Sequence, residues 1–162
     1  MIVYREATLA DVPGMAQVRA RDWGSEEYWR ERIALYHTGQ LHPREALPPR
    51  IGYACMDGDL VAGLIAGHLT RRFGCDGELE WISVREEYRG QKIASRLLRL
   101  LTEWFRAQGA SYVCVDVEPS NRVARAFYAS HGAEDLKPHW MIWKNIAQVC
   151  ESSPADRVDS TS

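Results

Sequence analysis

Residues 78–109 constrain this chain more than any other stretch. Glu78-Leu79-Glu80-Trp81-Ile82-Ser83-Val84 reads as a strand, and a glycine-containing turn follows, Tyr88-Arg89-Gly90-Gln91-Lys92-Ile93-Ala94. Beyond the turn, Ile93, Leu97, Leu98, Leu101, Trp104 and Phe105 recur at helical spacing, and Gly109 sits where a helix C′ residue belongs. A helix with so continuous an apolar stripe has to bury it against another element. With a strand directly before it, layered α and β structure is the expected class.

The flanking sequence fills in the layers. Residues 2–7 alternate weakly as a strand, and Thr8 with Asp11 forms a capping-box-like start for a helix whose stripe is Leu9, Val12, Met15, Ala16 and Val18. After a break at Trp23-Gly24, Ser25 caps a second helix with Trp29, Ile33 and Tyr36 on one face and Gly39 at its end. Residues 39–49, rich in proline, read as loop. Residues 51–56 and 60–69 are apolar runs of strand length separated by Asp57-Gly58, a dipeptide favoured in type I′ hairpins. Residues 112–117 read as a central strand, Asn121 caps a helix bearing Val123, Ala124, Phe127 and Tyr128 up to Gly132, and 140–143 is the last strand. The expected fold is a single α/β (α+β) domain over 1–144, a mixed sheet between helices, followed by a polar, flexible tail over 145–162.

Composition narrows the partners. With 20 basic against 22 acidic residues the net charge is -2, which argues against a nonspecific nucleic-acid binder. No apolar run is long enough to span a bilayer and the first residues lack a signal-peptide pattern, so a cytoplasmic protein without membrane attachment is expected. Cys55, Cys75, Cys114 and Cys150 show no metal or disulfide spacing, and neither do His68, His131 and His139; no metal is expected. Cys55 and Cys114 read as small buried hydrophobes, and Cys75, in Phe73-Gly74-Cys75-Asp76-Gly77, as a reduced surface thiol. Arg71 and Arg72 read as solvated loop charges. A terminal strand carrying Trp140 and Trp143 offers an apolar sheet edge through which a homodimer could pair.

The chemistry points to the turn. A glycine-containing connection from a strand end to a helix start leaves backbone N–H groups unpaired at the positive end of the helix dipole, which suits a pyrophosphate, and Arg89 and Lys92 add charge. Glu78 and Glu80 alternate along the strand and so share a face, where a partly desolvated carboxylate can accept a proton near neutral pH.

In motif and order these residues resemble the GNAT superfamily of acyl-CoA-dependent N-acyltransferases. Arg89-Gly90-Gln91-Lys92-Ile93-Ala94 is similar to the family's Arg/Gln-x-x-Gly-x-Gly/Ala phosphate loop, with Lys92 where glycine is usual. Asn121, Ala124, Phe127, Tyr128 and then His131-Gly132-Ala133 resemble its later motif. The resemblance implies a sheet splayed between the fourth and fifth strands, with acetyl-CoA as cosubstrate and the pantetheine arm beside the backbone of Ile82, Ser83 and Val84. It implies diphosphate on the amides of Arg89, Gly90, Gln91, Lys92, Ile93, Ala94 and Ser95, and Asn121 beside the pantetheine. It further implies proton acceptance by Glu80 or Glu78 and protonation of the leaving thiolate by Tyr128, with an amine acceptor, small molecule or peptide, near the aromatic residues of the first two helices. The alternative is an acyl-CoA-binding module without turnover, which Lys92 favours.

Overall fold

The computed structural model describes residues 1–149. In chain order its elements are β1 (Ile2–Glu6), α1 (Val12–Asp22), α2 (Glu26–His37), β2 (Ala46–Asp57), β3 (Leu60–Thr70), β4 (Gly77–Val84), α3 (Ile93–Ala107), β5 (Val113–Asp116), α4 (Arg122–Ser130), β6 (Glu134–Lys137) and β7 (Trp140–Trp143). The strands form one sheet in the order β1-β2-β3-β4-β5-β7-β6. Every pairing is antiparallel except β4 with β5.

Local sequence explains most boundaries. The Ser25 hydroxyl accepts from the Tyr28 amide at 3.0 Å and starts α2, and Asn121 Oδ1 accepts from the Ala124 amide at 3.1 Å and starts α4. Asp11 closes the first cap by accepting from the Thr8 amide at 2.8 Å, while its carboxylate also takes both terminal nitrogens of Arg5. Gly109 follows α3 at φ 82°, the left-handed residue that ends a helix without a Cβ penalty.

Each face of the sheet carries its own core. On one side Leu97, Leu98, Leu101 and Phe105 of α3 pack on Ile65, Leu79, Val113 and Val115. On the other, Met15, Val18, Trp29, Ile33 and Tyr36 of α1 and α2 cover Ala54, Leu64 and Trp81. Each such aliphatic side chain contributes about 1.5–3 kcal/mol by leaving water. The approach of α3 to the start of β4 is close enough that a Cβ on Gly77 would stand 2.4 Å from a Phe105 ring carbon. Only glycine fits there.

The splay expected between the fourth and fifth strands is present. Pairing of β4 with β5 covers only Gly77↔Val113, Glu78↔Cys114 and Leu79↔Val115, so the rest of β4 diverges with that edge open. Divergence begins at a bulge: β3 residues Ala66 and Gly67 are consecutive, yet they face Trp81 and Leu79, which leaves Glu80 as the extra residue.

Four expectations need correction. The loop assigned to 39–49 gives way at Ala46 to β2, which accommodates Pro48 and Pro49 in a register shift between Leu47 and Arg50, where missing donors cost no ladder bond. The hairpin loop is Gly58-Asp59 rather than Asp57-Gly58, because Asp57 pairs with Leu60; Gly58, at its first position, has φ 59°. Cys75 is a buried thiol, not a surface one, packed with Cys114 and Ile142. The strand with Trp140 and Trp143 is not a sheet edge: β7 lies between β5 and β6, and the short, charged β6 ends the sheet. Within the segment expected as tail, Ile146 and Val149 are buried in the α3-side core. The remainder of the expected tail, and Cys150, lie outside the described residues.

Candidate active site

The turn after β4 has the geometry an anion site requires. Arg89 is extended, Gly90 takes φ 83°, and Lys92 takes φ 61° as the N-cap of α3. The first helical bond runs from the Arg96 amide to the Lys92 carbonyl, so the amides of Ile93, Ala94 and Ser95 precede the helical ladder at the positive end of the dipole. Arg89, Gly90, Gln91 and Lys92 are exposed. Lys92 therefore stands in a left-handed conformation that glycine adopts without strain, and the chain keeps the turn in spite of its Cβ. Ser95, one turn into α3, is joined to the end of α4 through His131 Nε2 at 3.1 Å.

The two candidate carboxylates share one face of β4. Glu78 and Glu80 both face the α2 side, offer oxygens within 4.8 Å of each other, and lie against His68 of β3, whose ring is fully buried. His68 Nδ1 meets the Tyr36 hydroxyl at 2.8 Å and Glu80 Oε2 at 4.0 Å, while Nε2 is 3.9 Å from Glu78 Oε1. Burial, with help from the Arg50 and Arg72 charges, lowers the imidazole to about 4, so it is neutral at physiological pH. Burial and the neighbouring Glu80 charge raise Glu78 to about 7, against the pull of Arg72. Burial also raises Glu80, opposed by Arg32, then by its neighbour Glu78 and by Arg72 and Arg19.

Arg72 is not the solvated loop charge the sequence suggests. Its Nε donates to Glu78 Oε1 at 3.0 Å, its Nη2 donates to the Arg44 carbonyl at 2.9 Å, and its guanidinium lies 4.6 Å from the Trp140 ring centre. Arg71, by contrast, is exposed beside Glu45. His68, Glu78 and Glu80 offer ligand atoms within 4.8 Å of one another, yet Arg72 and Tyr36 already occupy two of these groups. With several arginine charges acting on the cluster, a divalent cation would face repulsion there.

Tyr128, on α4, is buried edge-on to Trp143 at 5.6 Å between ring centres, and burial holds its phenol above the ordinary value, with Arg19 the leading opposing charge. Ser83 is buried and bonded across to α1, whereas Ile82 and Val84 pack partly on the α3-side core. Asn121 is exposed and its side-chain oxygen is engaged in the α4 cap. The aromatic residues of the first two helices divide: Trp29 and Tyr36 are buried, Trp23 and Tyr28 are exposed. They form a connected series of ring contacts from Trp23 and Tyr28 through Trp29 to Trp81, the neighbour of Glu80. A cavity of about 180 Å³ is lined in part by Tyr36 and Trp81; its lining includes Arg50 and Glu6 but no residue of β5 or of the turn before α3.

Sequence reasoning missed Arg19, Arg32 and Arg72 as neighbours of the carboxylates. None sits within a local motif, and only the packing of α1, α2 and the β3–β4 connection brings them near β4.

A family model described as the acetyltransferase (GNAT) family matches residues 15–133. An uncharacterized N-acetyltransferase, YobR, of Bacillus subtilis is 30% identical over 104 residues, 64% of this chain. The match spans 41% of that relative's length. Among solved structures, the PaiA N-acetyltransferase of Thermoplasma acidophilum in complex with coenzyme A superimposes with a TM-score of 0.67 at 16% identity, covering 90% of this chain and 99% of that one. The GNAT family N-acetyltransferase YhbS of Escherichia coli, in complex with CoA, gives 0.65 at 20% identity, covering 91% and 84%. Among the described residues, no helix is long and apolar enough to cross a membrane.

Proposed function

Because the chain belongs to the GNAT acetyltransferase family, we propose that it moves an acetyl group from acetyl-CoA to a primary amine by direct attack, with no covalent enzyme intermediate. The observation that carries this reading is the adjacency of an open β4 edge beyond Leu79, an exposed amide turn at the start of α3, and a buried carboxylate pair at the bulge between them. The pantetheine arm lies along Ile82, Ser83 and Val84, and the diphosphate meets the amides from Arg89 to Ser95. Asn121, besides capping α4, borders the arm.

Burial raises both carboxylates toward the range in which a proton acceptor works near neutral pH, and Glu80, the member nearer the thioester, is the preferred acceptor with Glu78 next. Glu80 takes the proton of the acceptor ammonium, directly or through water, and releases the neutral amine, whose lone pair attacks the thioester carbon. A backbone N–H near Val84 receives the developing oxyanion. When the adduct collapses, the C–S bond breaks and its electron pair leaves with sulfur, which Tyr128 protonates. The proton lost by nitrogen restores the phenol, and the products are an N-acetyl amide and CoA-SH.

The acceptor enters beside Trp23 and Tyr28, whose exposed rings lead toward Glu80, and it is a small-molecule or peptide amine. Thermal unfolding with acetyl-CoA, CoA and ATP tests the cosubstrate, since a ligand at a hundredfold its dissociation constant adds about 2.7 kcal/mol. Stabilisation by both CoA species and little by ATP, followed by thiol release with an amine panel, is the expected result. No stabilisation would sink the reading. Stabilisation without transfer to any amine would select the alternative raised by Lys92, an acyl-CoA-binding module without turnover.

A further inference from the structure

Arg19 of α1 is held in place at several points and left unsatisfied at one. Its side chain is 12% exposed. Nη1 donates to Ser83 Oγ at 2.9 Å, the Ser83 hydroxyl donates in turn to Asp22 Oδ2 at 2.8 Å, and the guanidinium stacks on the Trp29 ring at 4.4 Å. Its Nε, however, is buried with no hydrogen-bond partner among the described residues. A buried orphan donor destabilises a fold, and native proteins keep few of them. Asp22 does not pair with it: the carboxylate lies 3.7 Å from Nη1 and accepts from Ser83, while Nε stays without a partner.

Location suggests what the free donor is for. Ser83, the residue that fixes Arg19, lies in β4 beyond the last residue paired with β5, on the wall of the opening. Arg19 is the leading favourable charge acting on Tyr128 and also acts on Glu80. The guanidinium charge therefore acts on both groups that exchange protons in the proposed transfer, and its bond to Ser83 holds it beside β4, the strand along which the pantetheine arm is proposed to lie.

We infer that Arg19 is a catalytic residue of the transfer site, whose guanidinium faces the sulfur of bound CoA and stabilises the negative charge that builds there as the C–S bond breaks. The inference rests on the acetyltransferase reading above. Arg19 gains and loses no proton; the electron pair moves to sulfur, the proton comes from Tyr128, and the fixed cation lowers the energy of the interval between the two events.

Two readouts on the full chain separate this role from a structural one. The first is the titration of the thiol of saturating bound CoA, followed by thiolate absorbance in the ultraviolet. The second is kcat at saturating acetyl-CoA with the best amine of the panel. A cation beside a thiol lowers its titration point, so the bound thiol should titrate below free CoA in the wild type. In Arg19→Gln the titration point should rise by about one pH unit and kcat should fall ~10–100-fold, while Arg19→Lys should keep most of both. An Arg19→Gln protein with altered melting but an unmoved thiol titration and unchanged kcat would overturn the inference. If Arg19→Gln fails to fold, Ser83→Ala, which releases Nη1, should move the thiol in the same direction by less, and no movement would count against Arg19. A wild type that acetylates no amine while its bound thiol still responds to Arg19 would remove the transfer reading and with it the catalytic role, leaving Arg19 as a contact of the bound sulfur. Transfer that is indifferent to Arg19 would remove this inference alone.

Discussion

Glu78 and Glu80 stand on one face of β4, with an oxygen of each within 4.8 Å of the other and of a His68 ring nitrogen, and the bulge at Glu80 accompanies this contact. Arg72 anchors the Glu78 end at 3.0 Å, and His68 packs between the pair and Tyr36. One proton on such a pair suffices to make its members unequal, and the experiments below turn on that inequality.

Glu80→Gln should lower kcat/KM for amine acetylation by ~10²–10⁴, the range for a general base. Glu78→Gln, which leaves Glu80 in place, should cost less than about tenfold. Initial rates of CoA release across a pH series decide the matter. A larger loss in Glu78→Gln would exchange the two roles.

Stability should depend on pH through Glu78. Its folded-state value, about 7, lies above the ordinary 4.5, so the contribution to stability is full below pH 4.5 and is lost as pH rises through 7. Replacing Glu78 by Gln removes this dependence. Relative to the wild type, Glu78→Gln should gain on the order of 3 kcal/mol between those limits. His68, lowered to about 4, acts in the opposite sense as pH falls, but it is present in both proteins and cancels. Urea unfolding of both proteins at pH 5 and pH 8 measures the difference; an equal gap at the two pH values would refute the assignment.

Tyr128→Phe keeps the buried ring against Trp143 and removes only the hydroxyl. Turnover should fall ~10–100-fold with the acetyl-CoA KM nearly unchanged, the pattern of an interaction made in the transition state. An unaltered kcat would take Tyr128 out of the mechanism.

Lys92 provides a backbone test. At φ 61° an L-residue carries a cost of about 1–2 kcal/mol that glycine avoids. Lys92→Gly and Lys92→Ala lose the same side-chain contacts, so their difference isolates the backbone. The glycine variant should be the more stable of the two by about 1 kcal/mol, a shift of a few degrees in Tm. Equal melting temperatures would show that the turn relaxes when the lysine is removed.

Much of this protein could be read along the chain. Apolar residues at helical spacing identified α3, Ser25 and Asn121 announced the starts of α2 and α4, and the Arg89 to Ala94 stretch announced the glycine turn into α3, because each of these signals lies within a few neighbouring residues. The loop before β2 was misread because prolines are local signs of irregularity, whereas the bulge that tolerates them depends on pairing with β3. Cys75 and the β7 edge were misread for a similar reason. Burial and strand order are decided by partners far along the chain.

Sequence alone determined the class of fold, the glycine turn into α3 and the shared face of the two glutamates, since strand alternation places both on one face wherever the strand lies. Tertiary structure alone decided how they differ. The bulge comes from register with β3, the Arg72 anchor from the β3–β4 connection, the neutral His68 from burial under α2, and Arg19 from the docking of α1 on Ser83. Proton affinity follows the local dielectric and the charges nearby, and those exist only once distant segments have packed.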